Sequence, residues 1–297
     1  PGPVVFVYTG MGPQWCGMGR QLFETEPAFA EKLRECDAMF GEIAGWSLLE
    51  EMHKDQESSR ITETQIAQPA NFALQVALSE LWRQWGVVPD VVVGHSVGEV
   101  TAAHVSGALN LQDALSVSYH RSRLQATTAG TGTMLAVGLN EDEAAGRIAA
   151  FNTAATQVSV GAVNSPTSVT LAGAPEALQA CAEELKAEGI FAQFLNVDVP
   201  YHSHKMDPLQ SELTTALSSI SPAETRIPLY STVTGSPIDG RELDCRYWWQ
   251  NVRQPVRFAQ AVANLVESGH RHFVELGPHP VLRPALREGL SSAGKKG

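Results

Sequence analysis

Cysteine is scarce and scattered in this chain: Cys16, Cys36, Cys181 and Cys245 stand far apart, with no CxxC pair. That spacing offers neither a zinc site nor a disulfide framework, so reduced thiols of a cytoplasmic protein are expected. No apolar run is long enough to span a bilayer, and no signal-peptide pattern opens the chain. Basic residues are outnumbered, 21 Lys and Arg against 32 Asp and Glu, for a net charge of −11. The imbalance argues against nucleic acid and against an anionic membrane surface as partners. Any anionic substrate must then meet a local positive site. Internal repeats and low-complexity tracts are absent as well. What remains is ordinary globular composition, 43% hydrophobic and 18% charged over 297 residues. It suffices for one large domain with an insertion, or for two domains. The chain opens at Pro1 without Met and closes on Ala293-Gly294-Lys295-Lys296-Gly297, as expected of a domain excised from a longer polypeptide.

The organising stretch is Gly94-His95-Ser96-Val97-Gly98, between the apolar run 87–93 and a segment, 99–105, that reads as helix. A strand, a sharp turn carrying a serine between two glycines, then a helix is the nucleophile-elbow pattern. The turn lifts the hydroxyl clear of the backbone, and the glycines let strand and helix approach closely. The helix N-terminus behind Ser96 supplies free N–H groups and a positive dipole end for an oxyanion. An incidental serine in a tight turn is the bland alternative.

Taken in order, residues 4–8 read as a buried strand running into the glycine-rich loop 9–19. No Lys-Ser/Thr pair follows those glycines, so the loop is expected to present backbone N–H groups to a site, not to cradle phosphate. Helices are expected at about 21–39, 48–53 and 62–85, with Gln68-Pro69-Ala70 marking the start of the last. A strand at 91–93, the elbow, a helix to about Ser106 and another at 111–126 follow. Segments 134–139, 141–150, 158–163, 168–172, 175–188 and 191–197 then read β-α-β-β-α-β, the ferredoxin-like order. The remainder reads as a helix to about Ser218, a strand at 228–232, an aromatic-rich loop at 247–256, a helix at 258–268 and a strand at 272–276. The fold class is α/β: a mainly parallel sheet from 1–130 and 198–297, with 131–197 inserted as a small second unit.

A serine hydroxyl needs a base. His95 adjoins Ser96, but neighbours on a tight turn point apart. His120 lies beside arginines on a helix and reads as structural or surface. His202 and His204 follow Pro200 in a loop suited to presenting a side chain, and spacing does not choose between them. No orienting Asp is evident; Asp198 and Asp207 are near in sequence but read equally well as surface carboxylates. Arg121 and Arg123, two apart on one helix, project to different faces, so only one can face the elbow.

The chain resembles the acyltransferase domain of polyketide synthases, and is similar to the malonyl/acetyltransferase domain of fatty acid synthase and to malonyl-CoA:acyl carrier protein transacylase. The resemblance covers essentially the whole chain. It rests on 8–15, Gln68-Pro69-Ala70, Gly94–Glu99, Arg121-Ser122-Arg123, Asn164-Ser165-Pro166, Tyr201-His202-Ser203 and Glu275-Leu276-Gly277-Pro278. It implies an α/β-hydrolase-like large subdomain with a ferredoxin-like small one. Ser96 would be the acylated nucleophile. The base would be the histidine followed by Ser203 and then Met206, which selects His202. Asn251 falls at the position whose backbone carbonyl orients that histidine. Arg121 would grip a malonyl-type carboxylate, and the N–H groups of Val97 and Met11 would form the oxyanion hole. Gln14, Gln68, His95, Val199 and Tyr201 are expected around the substrate. No bound cofactor or metal is implied: acyl-CoA is the donor, and an acyl carrier protein brings its phosphopantetheine thiol as acceptor. Neighbouring synthase domains such as a ketosynthase are the further partners.

The selectivity tetrapeptide would be Val199-Pro200-Tyr201-His202. Bulky Tyr201, with Val97 beside the nucleophile, leans to malonyl over methylmalonyl or a larger alkylmalonyl. Val199 and Pro200 match neither the usual malonyl nor the usual methylmalonyl pattern. Two other readings compete: a serine acyl-thioesterase, which has no use for Arg121, and an idle carrier-protein docking domain. Lys205, Arg253 and Arg257 are the expected basic patch for an acidic carrier.

Overall fold

The buried run at the N-terminus becomes a central strand. In the computed structural model, which describes residues 2–152, 157–292 and 294, the strands are β1 (Val4–Tyr8), β2 (Val91–Gly94), β3 (Thr133–Val137), β4 (Val158–Ser165), β5 (Ser168–Gly173), β6 (Ala192–Phe194), β7 (Leu229–Tyr230), β8 (Pro237–Ile238) and β9 (His272–Leu276). One sheet has the order β8-β7-β2-β1-β9. Its strands pair in parallel except for the antiparallel β7–β8 edge. Both faces of β1 are covered. Phe6 and Tyr8 enter one core with Val92, while Val5 and Val7 enter another with Val91 and Val93. Strands buried on both sides need such continuous apolar runs.

The second sheet, β4-β5-β3-β6, is antiparallel throughout, and with the helices Glu141–Ala149 and Pro175–Ala187 it has the ferredoxin-like order. Leu135, Val137, Val169 and Leu171 pack on those helices. The alternate positions Met134, Ala136 and Thr170 face a cavity shared with the elbow. The α/β class with a mainly parallel sheet and a ferredoxin-like unit stands. A backbone bridge joins the two parts: Val256 N–H donates to Gly161 at 3.0 Å, and Val163 N–H donates to Val256 at 2.9 Å.

Two local expectations are corrected, and one element is added. The segment read as an aromatic loop is largely helix, Cys245–Arg253. Asp244 caps it by accepting from the N–H groups of Arg246 and Tyr247, and Tyr247, Trp248, Asn251 and Val252 form its buried face. Pro69 does not start its helix but lies inside Thr64–Gln84. A last helix, Arg283–Ser292, was not anticipated; it forms one wall of the cavity through Ala285 and Glu288.

All four cysteines are free thiols. No described helix is long and apolar enough to cross a membrane.

Candidate active site

Strand β2 ends at Gly94, and the helix Gly98–Val105 begins four residues later. The turn fits only because two side chains are missing. A Cβ on Gly94 would lie 2.2 Å from the Gly98 carbonyl carbon, and one on Gly98 would lie 2.3 Å from the Tyr8 carbonyl oxygen. At the apex Ser96 has φ 54°, in the left-handed region. The glycine-rich loop passes directly over it: a Cβ on Gly10 would come within 3.0 Å of His95. Neither the Met11 nor the Val97 N–H donates to a protein acceptor among the described residues.

The Ser96 hydroxyl meets two groups from distant segments. Its Oγ lies 2.8 Å from His202 Nε2 and accepts from Arg121 Nη2 at 2.9 Å. His202 Nδ1 donates to the Gln254 carbonyl at 2.9 Å, which leaves Nε2 as the acceptor for the serine proton. Burial first, then the Arg121 charge and His95, hold the imidazole down at about 3, so it is neutral at pH 7. His204 lies outside this contact, in the 3-10 turn His204–Leu209.

The carbonyl facing His202 is therefore that of Gln254, not of Asn251. The reason lies in the unexpected helix. Gln254 is its C-cap, where a carbonyl has no partner within the helix, and Pro255 cannot continue the turn. Asn251 is one turn earlier and uses its side chain elsewhere: Oδ1 accepts from Arg121 Nε at 3.0 Å, and Nδ2 donates to Glu99 Oε2 at 3.0 Å and to the Ser96 carbonyl at 3.3 Å.

Arg121 is 2% exposed, yet its hydrogen-bond partners are all neutral. Nε binds Asn251, Nη1 binds Gln68 and, at 3.1 Å, Gln125, and Nη2 binds Ser96. Burial lowers the guanidinium to about 10, against smaller opposite effects of Tyr201 and Glu99. A buried cation without a paired carboxylate is costly, and an incoming anion relieves that cost. Arg123, on the other face, pairs with Glu212 at 2.8 Å.

Above these groups opens a cavity of about 420 Å³. Met11, Gln68, His95 and Tyr201 line it. His95 is tied to β4 through Nε2 and Asn164 Oδ1 at 2.8 Å. The Tyr201 hydroxyl is held by Thr64 Oγ1 at 2.6 Å and Met11 Sδ at 3.0 Å. Two expected substrate contacts are not at the cavity. Val199 is fully buried in the core, and Gln14 braces its own loop by accepting from the Gly12 N–H at 2.8 Å. Two of the three proposed patch cations are also taken: Arg253 pairs with Asp207 and Arg257 with Glu141, each at 2.5 Å. Glu99, Gln125 and Gln254 were missed. Gln125 was findable as the i+4 neighbour of Arg121. No group of three or more metal-ligating side chains occurs among the described residues.

Residues 5–296 match the model of the acyl transferase domain family. The chain is 41% identical over 290 residues, 98% of its length, to Erythronolide synthase EryA2 of Saccharopolyspora erythraea, and spans 8% of that protein. The acyltransferase domain from module 8 of the salinomycin polyketide synthase is similar in structure, with TM-score 0.94 and 37% identity over 98% of this chain and 68% of that one. So is the acyl transferase domain of SpnD in complex with 2-(pent-4-yn-1-yl)malonyl, with TM-score 0.88 and 30% identity, covering 100% of this chain and 70% of that one. The strained serine, its histidine and the buried arginine thus sit on a scaffold shared over nearly its whole length, and the chain belongs to the acyl transferase domain family.

Proposed function

We propose that this domain loads a malonyl-type extender unit from acyl-CoA onto the phosphopantetheine thiol of an acyl carrier protein, through an acyl-serine, within a larger synthase. The observation that carries the reading is the convergence on Ser96 Oγ of a neutral base at 2.8 Å and a buried cation at 2.9 Å. The base suits acyl transfer. The cation suits an acyl group that bears its own carboxylate.

Ser96 Oγ attacks the thioester carbonyl carbon while its proton passes to His202 Nε2. The tetrahedral oxyanion rests on the N–H groups of Met11 and Val97. The C–S bond breaks, and the imidazolium returns the proton to the departing CoA sulfur. In the second half the pantetheine S–H gives its proton to His202 as sulfur attacks the acyl-serine. The C–O bond breaks and the proton returns to Ser96. Arg121 holds the free carboxylate through both halves. Because the Arg121 charge helps to depress His202, a carboxylate bound there also raises the basicity of the imidazole. The malonyl group thus assists its own transfer.

Segments 1–130 and 198–297 would carry the nucleophile and base, and segment 131–197 one wall of the cavity. Tyr201, pinned across that cavity, favours unsubstituted malonyl. The SpnD domain, which holds a substituted malonyl, makes larger alkylmalonyl groups the natural comparison. The test is transfer of labelled malonyl, methylmalonyl and alkylmalonyl from CoA to a holo carrier protein. Label on the carrier, greatest for malonyl, is expected; release of free acid alone would support a thioesterase instead.

A further inference from the structure

Glu99 lies one residue into the helix behind the elbow, is fully buried and touches neither Ser96 Oγ nor Arg121 by any hydrogen bond. One residue, Asn251, bonds both Glu99 and Arg121. Thr232 N–H at 3.1 Å and the Tyr247 hydroxyl meet Oε1; Thr232 Oγ1 at 2.8 Å and Asn251 Nδ2 at 3.0 Å meet Oε2. The carboxyl is therefore held from two segments, Thr232 after β7 and the helix Cys245–Arg253 at Tyr247 and Asn251, and of these partners Asn251 is the one that also meets Arg121.

An amide has a donor end and an acceptor end, and rotating it by half a turn exchanges them. Asn251 directs both Nδ2 hydrogens at acceptors, Glu99 Oε2 and the Ser96 carbonyl. Only this orientation turns Oδ1 towards Arg121 Nε. The Ser96 contact is the longer, at 3.3 Å, so Glu99 supplies most of the orientation. The arrangement also leaves the guanidinium open. Arg121 has five N–H groups, and its four hydrogen bonds take one from Nε, two from Nη1 and one from Nη2. A carboxylate paired directly with Arg121 would occupy the remaining donor. Fixing the side chain from behind, through Asn251, keeps that donor available.

We infer that Glu99 is a positioning residue which, through the Asn251 amide, sets Arg121 for acyl groups that carry a carboxylate. The inference rests on the reading of Arg121 as the carboxylate grip. In Glu99→Gln the shape is kept, but an N–H₂ end enters the ring of donors. When it faces Asn251 the amide turns over and presents Nδ2 to Arg121 Nε, donor against donor. Asn251→Ala removes the amide through which Glu99 acts, so in that background Glu99→Gln has little left to change.

The experiment measures kcat/KM for malonyl-CoA and acetyl-CoA in wild type, E99Q, N251A and the double variant E99Q/N251A, with thermal unfolding of each. The readout is the ratio of the two substrates, which cancels any shared loss of folded protein. Wild type is expected to prefer malonyl. E99Q should lose that preference by about tenfold, the size of a lost hydrogen bond to a charged group, whereas in the N251A background it should lower the ratio by less than about twofold further. A wild type without malonyl preference overturns the Arg121 reading and the inference with it. A normal wild-type preference that E99Q leaves unchanged, or a tenfold loss that E99Q also causes in the N251A background, overturns the role of Glu99 alone.

Discussion

Ser96 and His202 share a backbone peculiarity and a hydrogen bond. They are the two non-glycine residues with positive φ among the described residues, at 54° and 58°, and their side chains meet at 2.8 Å. Each left-handed residue costs roughly 1–2 kcal/mol, so the surrounding packing must hold both in place. The elbow glycines do this for Ser96. Gly94→Ala or Gly98→Ala would place a Cβ 2.2–2.3 Å from backbone atoms and should destabilise by several kcal/mol or prevent folding. Gly146→Ala is the control: nothing lies within 4 Å of its Cβ in the helix Glu141–Ala149, and about 0.5–1 kcal/mol of stabilisation is expected. Denaturant unfolding of the three variants checks the contrast.

The pH dependence follows from His202. Its folded value, about 3, lies below the ordinary 6.5, so the unfolded chain binds the extra proton first. The stability this residue contributes is fully present above pH 6.5 and is lost as pH falls from there through about 3. Activity with a neutral acyl thioester should show no histidine limb near 6.5. Arg121→Ala removes one of the depressing causes and leaves burial, so the acid limb should move upward. Profiles of kcat/KM against pH for both proteins test the sign.

Arg121→Ala should lower malonyl transfer by about a hundredfold, the equivalent of ~2–3 kcal/mol for a buried charge-assisted contact, and lower acetyl transfer far less. Single-turnover loading from the two CoA esters measures the difference. Equal losses would remove Arg121 from carboxylate recognition.

Gln254 and Asn251 separate by the same logic. The Gln254 side chain is exposed and only its carbonyl meets His202, so Gln254→Ala should change kcat by less than about twofold. Asn251→Ala strips Arg121 Nε and Glu99 of a partner and should cost malonyl selectivity and stability together, by about 1–3 kcal/mol. Kinetics and unfolding midpoints of both variants decide it.

These residues also mark what was legible in the sequence. The elbow was, because a strand, two glycines and a helix leave a local signature around Ser96. The ferredoxin-like order was, because alternation and helical periodicity change clearly between 133 and 194. The two-residue spacing of Arg121 and Arg123 correctly placed them on different faces. The helix Cys245–Arg253 was not legible, because it is only nine residues long and the run Tyr247-Trp248-Trp249 masks the helical period of its buried face. The Gln254 contact had no signal at all. It is made by a backbone carbonyl, and what selects it is where a helix ends. Val199 and Gln14 failed for a related reason: position beside a motif does not say which way a side chain turns.

The most direct test of the account is the intact mass of the protein after brief mixing with malonyl-CoA, with Ser96→Ala alongside. A malonyl mass gain in wild type that is absent from the variant, and that is discharged by a holo carrier protein, is the predicted result. A gain that persists in Ser96→Ala, or no gain together with no transfer to the carrier, would contradict it.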